Sequence, residues 1–231
     1  MENEKSVLLS LSGGLDSTVL LASFLRDGYD VQLATFVYAS KHNVYERIAA
    51  HNVASHYNLQ TYVINALSLF QWSKSALLVN GEAIPEGHYE EESMKATVVP
   101  GRNLIFASVL ASIAESQNIR NIAFAAHSGD HHIYPDCRPD FFTQLFHTVH
   151  LSSDGRVKVL APFLYKNKTE IVKIGESVNA PFHLTRTCYK EQLHACGKCG
   201  SCVERLEAFK NAALPDPIEY ENENEVIVEG E

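Results

Sequence analysis

The chain has 231 residues, 45% of them hydrophobic, and a formal net charge of −9. This length fits one large α/β domain, alone or with a small appendage, and the composition supplies enough apolar side chains for a sizeable core. No apolar run approaches the roughly 18 residues that cross a bilayer, and the acidic N-terminus has no secretory pattern. We therefore expect a cytoplasmic protein without a membrane segment.

The negative charge is concentrated at one end of the sequence. Residues 211–231 carry seven acids and no lysine or arginine, which leaves the rest of the chain close to neutral. A nucleic-acid-binding surface needs a basic patch, so direct binding to nucleic acid is not expected. The acidic segment predicts a solvated extension, although 225–230 could pair as an edge strand in an oligomer.

Short apolar runs alternate with segments of helical periodicity along the chain. This βαβα order predicts a doubly wound parallel sheet, in which ligands bind at the carboxyl ends of the strands. Segment 71–100 interrupts the alternation and predicts either a mobile flap over the site or a surface excursion. The predicted strands are 7–11, 31–38, 60–64, 121–126 and 157–161, and the predicted helices are 17–26, 44–57, 104–117, 140–150 and one that covers 168–176.

The most specific local signal is Ser-Gly-Gly-Leu-Asp-Ser at 12–17, between a predicted strand and a predicted helix. Adjacent glycines let backbone N–H groups turn inward, and the helix start adds the positive end of a dipole, so the loop suits a polyphosphate. It lacks the lysine of a Walker A motif and resembles the SGGxDS loop of ATP pyrophosphatases, with an ordinary turn as the alternative. The residues predicted to bind ATP are Leu11, Ser12, Gly13, Gly14, Leu15, Asp16, Ser17 and Thr18.

Four of the five cysteines form a cluster with the spacing C-x7-C-x2-C-x2-C. Four soft ligands in a tetrahedral arrangement suit zinc and leave no open position, so we expect a structural zinc knuckle. An iron–sulfur cluster is the main alternative, and disulfides are not expected in a reducing compartment. The predicted ligands are Cys188, Cys196, Cys199 and Cys202.

The fifth cysteine, Cys137, stands apart in a proline-rich turn. A nucleophilic thiol is one interpretation, and a buried structural cysteine is the more common one. His127, His131 and His132 are close to it in sequence and suit either a metal site or a solvated loop.

Four motifs occur in one order: SGGLDS, VPGRN at 99–103, YPDCRPDF at 134–141 and the cysteine knuckle. This set resembles the 7-cyano-7-deazaguanine synthase (QueC) family from about residue 7 to residue 210. The resemblance implies a PP-loop, adenine-nucleotide-hydrolase-like α/β fold, a structural Zn²⁺ and a homodimer. It also implies an ATP- and Mg²⁺-dependent ligase that converts 7-carboxy-7-deazaguanine and ammonia to the nitrile for queuosine or archaeosine synthesis. The predicted segments are a PP-loop domain (1–180), a zinc-binding segment with the four cysteines (181–210) and an acidic tail (211–231).

The resemblance also implies roles for single side chains. Lys168 matches the lysine of the family's Lys-x-Glu-Ile stretch and is expected to neutralise the α-phosphate; a solvated lysine at a helix start is the alternative. Arg102 would hold a phosphate or the substrate carboxylate, and Asp16 would orient the loop or a magnesium ion. Asp136 and Arg138 would read the deazaguanine edge or fix their own loop. The predicted catalytic residues are Lys168, Arg102 and Asp16, and the predicted substrate-binding residues are Arg102, Asp136, Arg138 and His42.

Two stretches depart from the family pattern, one of them Gly-Asp-His-His-Ile at 129–133, and the acidic tail is extra. After the second predicted strand the family commonly shows Tyr-Gly-Gln-Arg-His, whereas this chain has Tyr-Ala-Ser-Lys-His at 38–42. A divergent enzyme would stop at the amide or join the activated deazapurine to another amine. Two further hypotheses are a PP-loop enzyme of tRNA thiolation or amidation, which the lack of a basic face disfavours, and a zinc-stabilised module that senses nucleotides without turnover.

Overall fold

A computed structural model describes residues 3–88 and 91–221. Within these residues, five strands form one parallel sheet in the order β3-β2-β1-β4-β5. The strands are β1 (Ser6–Ser10), β2 (Asp30–Val37), β3 (Thr61–Asn65), β4 (Asn121–Ala123) and β5 (Lys158–Leu160). The α-helices are α1 (Leu15–Arg26), α2 (Asn43–His56), α3 (Arg102–Ser116), α4 (Pro139–Ser152), α5 (Lys168–Ser177) and α6 (Gly200–Ala212). Short 3₁₀ helices cover Leu67–Phe70, Glu92–Thr97, Ser128–His131, Pro135–Cys137 and Phe182–Leu184.

Strand β1 lies in the middle of the sheet and is buried on both faces. Leu8 belongs to the core cluster that contains α3 and α4, whereas Val7 and Leu9 belong to the cluster that contains α1, α2, α5 and α6. A buried parallel strand with helices on both faces is the doubly wound arrangement. The predicted fold class is therefore confirmed.

The strand order reverses at β1. The chain passes outward through β2 and β3 on one side and then crosses back to β4 and β5 on the other. At such a switch point the loops after the two central strands diverge and leave a crevice at the carboxyl end of the sheet. The 12–17 loop follows β1 and the 124–131 segment follows β4, so both border this crevice.

Most predicted elements are present, with bounds shifted by three residues at most. Helix α6 was not predicted, because the glycine and cysteines at its start mask the helical periodicity that follows. Segment 71–100 combines buried and surface residues. Leu77 and Met94 are no more than 1% exposed, and the Ala76 amide donates to the Ala96 carbonyl, so these parts of the segment pack into the core beside α3, whereas Trp72 is 82% exposed.

The stretch Glu92–Ser116 is long and apolar enough to cross a membrane by length and composition. The left-handed backbone at Gly101, with φ of 68°, separates α3 from the short helix before it. Helix α3 buries Phe106 and Leu110 in the core on one face of the sheet. A core helix of a soluble protein meets the same criterion, so the stretch gives weak support for a membrane span.

The predicted start of the acidic tail, Asn211, lies inside α6, which ends at Ala212. Beyond the helix, the Asp216 carboxylate accepts two hydrogen bonds from the guanidinium of Arg205, whose residue is fully buried. The prediction of a solvated extension is thus wrong for the residues around Asp216, because the buried Arg205 guanidinium binds this carboxylate. The predicted edge strand at 225–230 lies outside the described residues.

Candidate active site

The SGGLDS loop requires glycine at its second position for two reasons. Gly13 has a φ of 77°, which side chains rarely adopt. A Cβ on Gly13 would also lie 2.3 Å from the backbone nitrogen of Ala50, because α2 passes directly behind the loop. The Gly13 carbonyl accepts a hydrogen bond from the Arg186 amide, which ties the loop to the segment that carries the cysteines.

Gly13→Ala is expected to lower the free energy of unfolding by about 2 kcal/mol or more, since a left-handed backbone and a clash with α2 add together. Gly28→Ala is the matched control. Gly28 has the same φ of 77°, but apart from Gly28 and its two chain neighbours no atom of residues 3–88 and 91–221 lies within 4 Å of its Cβ position, so this variant should lose only about 1 kcal/mol. Urea unfolding of both variants measures the difference, and equal losses would contradict the close approach of α2.

Hydroxyl groups and the helix start complete the loop. Ser12 Oγ lies 3.1 Å from Ser17 Oγ and accepts a hydrogen bond from the Gly14 amide. The N-cap of α1 is Gly14, which has no side chain to cap the helix, so the positive end of the helix dipole is open at the loop. Of the predicted ATP-binding residues, Gly13 and the fully buried Thr18 do not line the pocket. Those that do are Leu11, Ser12, Gly14, Leu15, Asp16 and Ser17.

The crevice forms a pocket of about 220 Å³ at the carboxyl ends of β1, β2 and β4. One wall is aromatic: Phe36 and Phe106 stack with ring centroids 3.8 Å apart, and Tyr189 also lines the cavity. The SGGLDS loop and a set of charged side chains also line the pocket. The pocket therefore offers a flat apolar surface and a polar, charged end in one cavity.

Lys168 lies at the centre of the charged end. The residue is 7% exposed and occupies the first turn of α5, where Asn167 and Glu170 form a capping box. Its ammonium nitrogen lies 2.7 Å from Asp16 Oδ2, 2.9 Å from His127 Nε2 and 3.3 Å from Glu204 Oε2. This burial is inconsistent with a solvated lysine at a helix start.

The electrostatics of this cluster follow from burial and mutual contact. Burial alone would lower the pKa of Lys168, but the Asp16 and Glu204 carboxylates outweigh it and raise that pKa above its ordinary value. Burial would raise the pKa of Asp16, but the Lys168 ammonium holds it below its ordinary value. Asp16 is therefore a carboxylate and Lys168 an ammonium. Burial raises the pKa of Glu204, against the opposing effect of Lys168.

Three further members of the cluster were not predicted to meet Lys168, and of these only His127 was considered from the sequence, as part of a metal site or a solvated loop. His127 is 2% exposed, and its Nδ1 accepts a hydrogen bond from the Gly129 amide. Asp130 Oδ2 lies 3.6 Å from His127 Nε2, and Glu204 reaches the cluster from α6. The position of His127 at the carboxyl end of β4 was the one signal in the sequence, because such positions face the crevice.

Arg102 and His42 also line the pocket. The Arg102 guanidinium lies 5.8 Å from the centre of the Tyr134 ring, at the start of α3. Burial raises the pKa of the neighbouring Tyr38 to about 12, so its hydroxyl stays protonated. His42 is 3% exposed, with Nε2 3.4 Å from Glu46 Oε1. These two of the four predicted substrate-binding residues thus face the cavity.

Asp136 and Arg138 do not line the pocket. Asp136 Oδ2 accepts a hydrogen bond from the Asn103 amide at the start of α3, and Arg138 Nε donates to the His131 carbonyl. These contacts favour the loop-fixing role over direct substrate reading. Cys137 lies between them and is 3% exposed; burial raises its pKa well above the ordinary value, which favours a structural thiol over a nucleophile.

The four clustered cysteines are buried, and their sulfur atoms lie within 4.8 Å of one another. Backbone amides of Lys190, Lys198 and Cys199 donate to sulfur atoms of the set, an arrangement that stabilises thiolates. Hydrogen bonds with the neighbouring cysteine thiols hold the pKa of Cys196 below its ordinary value. The arrangement fits a tetrahedral metal ion with four thiolate ligands.

The parallel sheet, its switch point and the glycine-rich loop after β1 define the class of PP-loop ATP pyrophosphatases. A sequence model described as "Queuosine biosynthesis protein QueC" matches residues 6–213, and the chain belongs to this family. It is 42% identical to the 7-cyano-7-deazaguanine synthase of Methanoregula boonei over 94% of this chain and 99% of that one. The corresponding protein of Porphyromonas gingivalis is 42% identical over 96% of this chain and 100% of its own. Among solved structures, the NMN synthetase of Francisella tularensis gives a TM-score of 0.48 at 14% identity, covering 80% of this chain and 66% of that one.

The departures from the family pattern at 38–42 lie at the edge of the site. Ala39 has a φ of 63°, the left-handed region that favours the glycine common in the family. Lys41 donates to the carbonyls of Gly81 and Glu82 and does not line the pocket. The backbone path is therefore kept at Ala39, and the lysine holds a neighbouring loop.

Proposed function

We propose that this protein is an ATP-dependent carbon–nitrogen ligase that converts 7-carboxy-7-deazaguanine and ammonia to 7-cyano-7-deazaguanine. The observation that carries the proposal is the contact of Lys168 with Asp16 of the SGGLDS loop, inside a pocket with an aromatic wall. A phosphate-binding loop, a fixed cation and a flat apolar surface are the three features that adenylation of a planar heteroaromatic acid requires.

The chemistry explains why ATP is consumed. The substrate carboxylate attacks the α-phosphorus of ATP, pyrophosphate leaves, and an acyl adenylate forms. Ammonia attacks the acyl carbon and AMP leaves, which yields the amide and releases a proton. A second ATP adenylates the amide oxygen with loss of pyrophosphate, and loss of AMP and the remaining N–H protons gives the nitrile.

The residues divide this work by position. The amides and hydroxyls of the SGGLDS loop stabilise the charge that develops on the departing pyrophosphate. Lys168 neutralises the α-phosphate, and the Arg102 guanidinium holds the substrate carboxylate or a phosphate. Asp16 Oδ1 is buried with no hydrogen-bond partner among the described residues, so it is available to a magnesium ion brought in with ATP.

The cysteine cluster suits a structural Zn²⁺ held by Cys188, Cys196, Cys199 and Cys202, because four soft ligands leave no position for substrate. The alternative is an iron–sulfur cluster, and metal analysis of the purified protein distinguishes zinc from iron. The same proposal places the enzyme in the cytoplasm as a homodimer that binds small molecules and no nucleic acid, with a PP-loop domain (1–180), a zinc-binding segment (181–210) and a C-terminal acidic segment beyond them.

Mass spectrometry of a reaction with purified protein, ATP, Mg²⁺, 7-carboxy-7-deazaguanine and ¹⁵N-ammonium tests the function. The expected products are the nitrile, carrying ¹⁵N, together with AMP and pyrophosphate. A reaction without ammonium should release no nitrile. Amide as the only product would replace the proposal with a truncated pathway, and the absence of any ATP turnover would favour a nucleotide sensor.

A further inference from the structure

The segment that carries the cysteines also builds one wall of the pocket. Arg186, Tyr189, Ser201 and Glu204 line the cavity, and all four lie between residue 185 and residue 205 of the sequence. The segment is fastened to the SGGLDS loop by the hydrogen bond from the Arg186 amide to the Gly13 carbonyl. The cysteine segment and the pocket are therefore one continuous structure.

Glu204 is the residue of this segment that reaches Lys168. Helix α6 has Cys199 at its N-cap and Cys202 in its first turn, so two of the four sulfur atoms are anchored where the helix begins. The Glu204 side chain is 15% exposed and follows within the next half-turn. Its Oε1 lies 2.3 Å from the position of a Cβ on Gly129, so the glycine leaves room for the carboxylate in this position.

Three groups surround the ammonium of Lys168, and two of them are carboxylates that can accept from its N–H donors. Asp16 comes from the loop after β1, His127 comes from the segment after β4, and Glu204 comes from α6. A flexible lysine stem needs contacts in several directions to hold its charge in one place. Of these three contacts, Glu204 alone depends on the placement of the cysteine-bearing helix.

We propose that Glu204 is a positioning residue for Lys168 and that, through it, the metal-binding segment sets the place of the catalytic cation. The inference rests on the proposed function only for the role of Lys168 in adenylation. Glu204→Gln removes the negative charge and keeps the side-chain shape. When Lys168 is held less firmly, the enzyme should lose more free energy of stabilisation in the transition state, where the charge must be accurately placed, than in substrate binding.

Glu204→Gln is compared with Glu207→Gln, which alters the same helix at a carboxylate 3.4 Å from His88 Nδ1, outside the pocket. We expect kcat of Glu204→Gln to fall by about 10-fold or more, with KM for ATP within about 2-fold and zinc content equal to that of the wild type. Glu207→Gln should match the wild type in all three measurements. An unchanged kcat, or a loss confined to KM, would overturn the proposal.

A second measurement requires no turnover. Acylation of lysine side chains, followed by peptide mass spectrometry, reports how freely each ammonium moves and loses its proton. Lys168 should label faster in Glu204→Gln than in the wild type, while the exposed Lys173 of the same helix labels equally in both. Equal labelling of Lys168 in the two proteins would show that Glu204 does not act on the lysine. Loss of zinc from Glu204→Gln would overturn a positioning role, because Glu204 would then act on the fold of the cysteine segment. Because labelling needs no substrate, an inactive wild type would refute the proposed reaction without deciding the positioning role.

Discussion

Lys168→Met is expected to lower the rate of AMP and pyrophosphate formation by about 10²- to 10³-fold, the range lost when one preorganised group that stabilises transition-state charge is removed. Methionine keeps a long, flexible side chain but has no charge. The α-phosphate would then carry its developing charge beside Asp16 and Glu204 without the ammonium that lies 2.7 Å and 3.3 Å from them. Pyrophosphate release, followed by a coupled assay at saturating ATP, measures the effect.

Lys173→Met is the matched control, because this lysine is exposed and lies on the same helix. It should retain wild-type activity. Circular dichroism should show both variants folded. A Lys168→Met enzyme with more than a tenth of the wild-type rate would exclude the lysine from the adenylation step, whatever the reaction proves to be.

Asp216→Ala is expected to lower the free energy of unfolding by about 3–5 kcal/mol, the cost of leaving one partner of a buried ion pair alone. The Arg205 guanidinium is fully buried and donates to both oxygens of Asp216 at 2.8 and 2.9 Å. It also donates to the hydroxyls of Thr185 and Thr187, which precede the first cysteine of the cluster. Without Asp216, a buried positive charge would remain unneutralised in the segment that carries the clustered cysteines.

Glu219→Ala provides the control for this prediction. Glu219 is also acidic and three residues away, but its side chain is 82% exposed and pairs with His194 at the surface. This variant should change stability by less than about 1 kcal/mol. Urea unfolding of the two variants and the wild type gives the comparison. Equal free energies of unfolding for the two variants would mean that the first residues after α6 do not contribute to stability, as the charge pattern alone predicted.

The main architecture could be predicted because it depends on local patterns. Buried parallel strands are continuous apolar runs, and the helices between them have amphipathic spacing, so their order led to the doubly wound sheet. The SGGLDS loop and the four cysteines are also local, since each chemical unit lies within a short stretch. The resemblance to the QueC family, which the family comparison confirmed, depended on motifs of the same kind.

The predictions failed where a contact joins distant parts of the chain. Asp216 was assigned to a solvated acidic tail, because its charge is visible in the sequence and the buried Arg205 that binds it is not. Segment 71–100 was expected to lie outside the core, because its acids and glycines obscure the buried Leu77 and Met94. For Asp136 the sequence left substrate contact and loop fixing open, and only the fold shows that its carboxylate accepts a hydrogen bond at the start of α3.

The sequence by itself determined the class of fold and identified the SGGLDS loop and the four clustered cysteines, because each follows from the chemistry of neighbouring residues. Only the tertiary structure decided the surroundings of Lys168. That lysine lies 152 residues from Asp16 in the chain and meets His127 and Glu204 from two further elements. No periodicity or spacing encodes such a meeting. It arises because a parallel sheet brings the ends of its strands to one edge, and because α6 packs against α5 beside that edge.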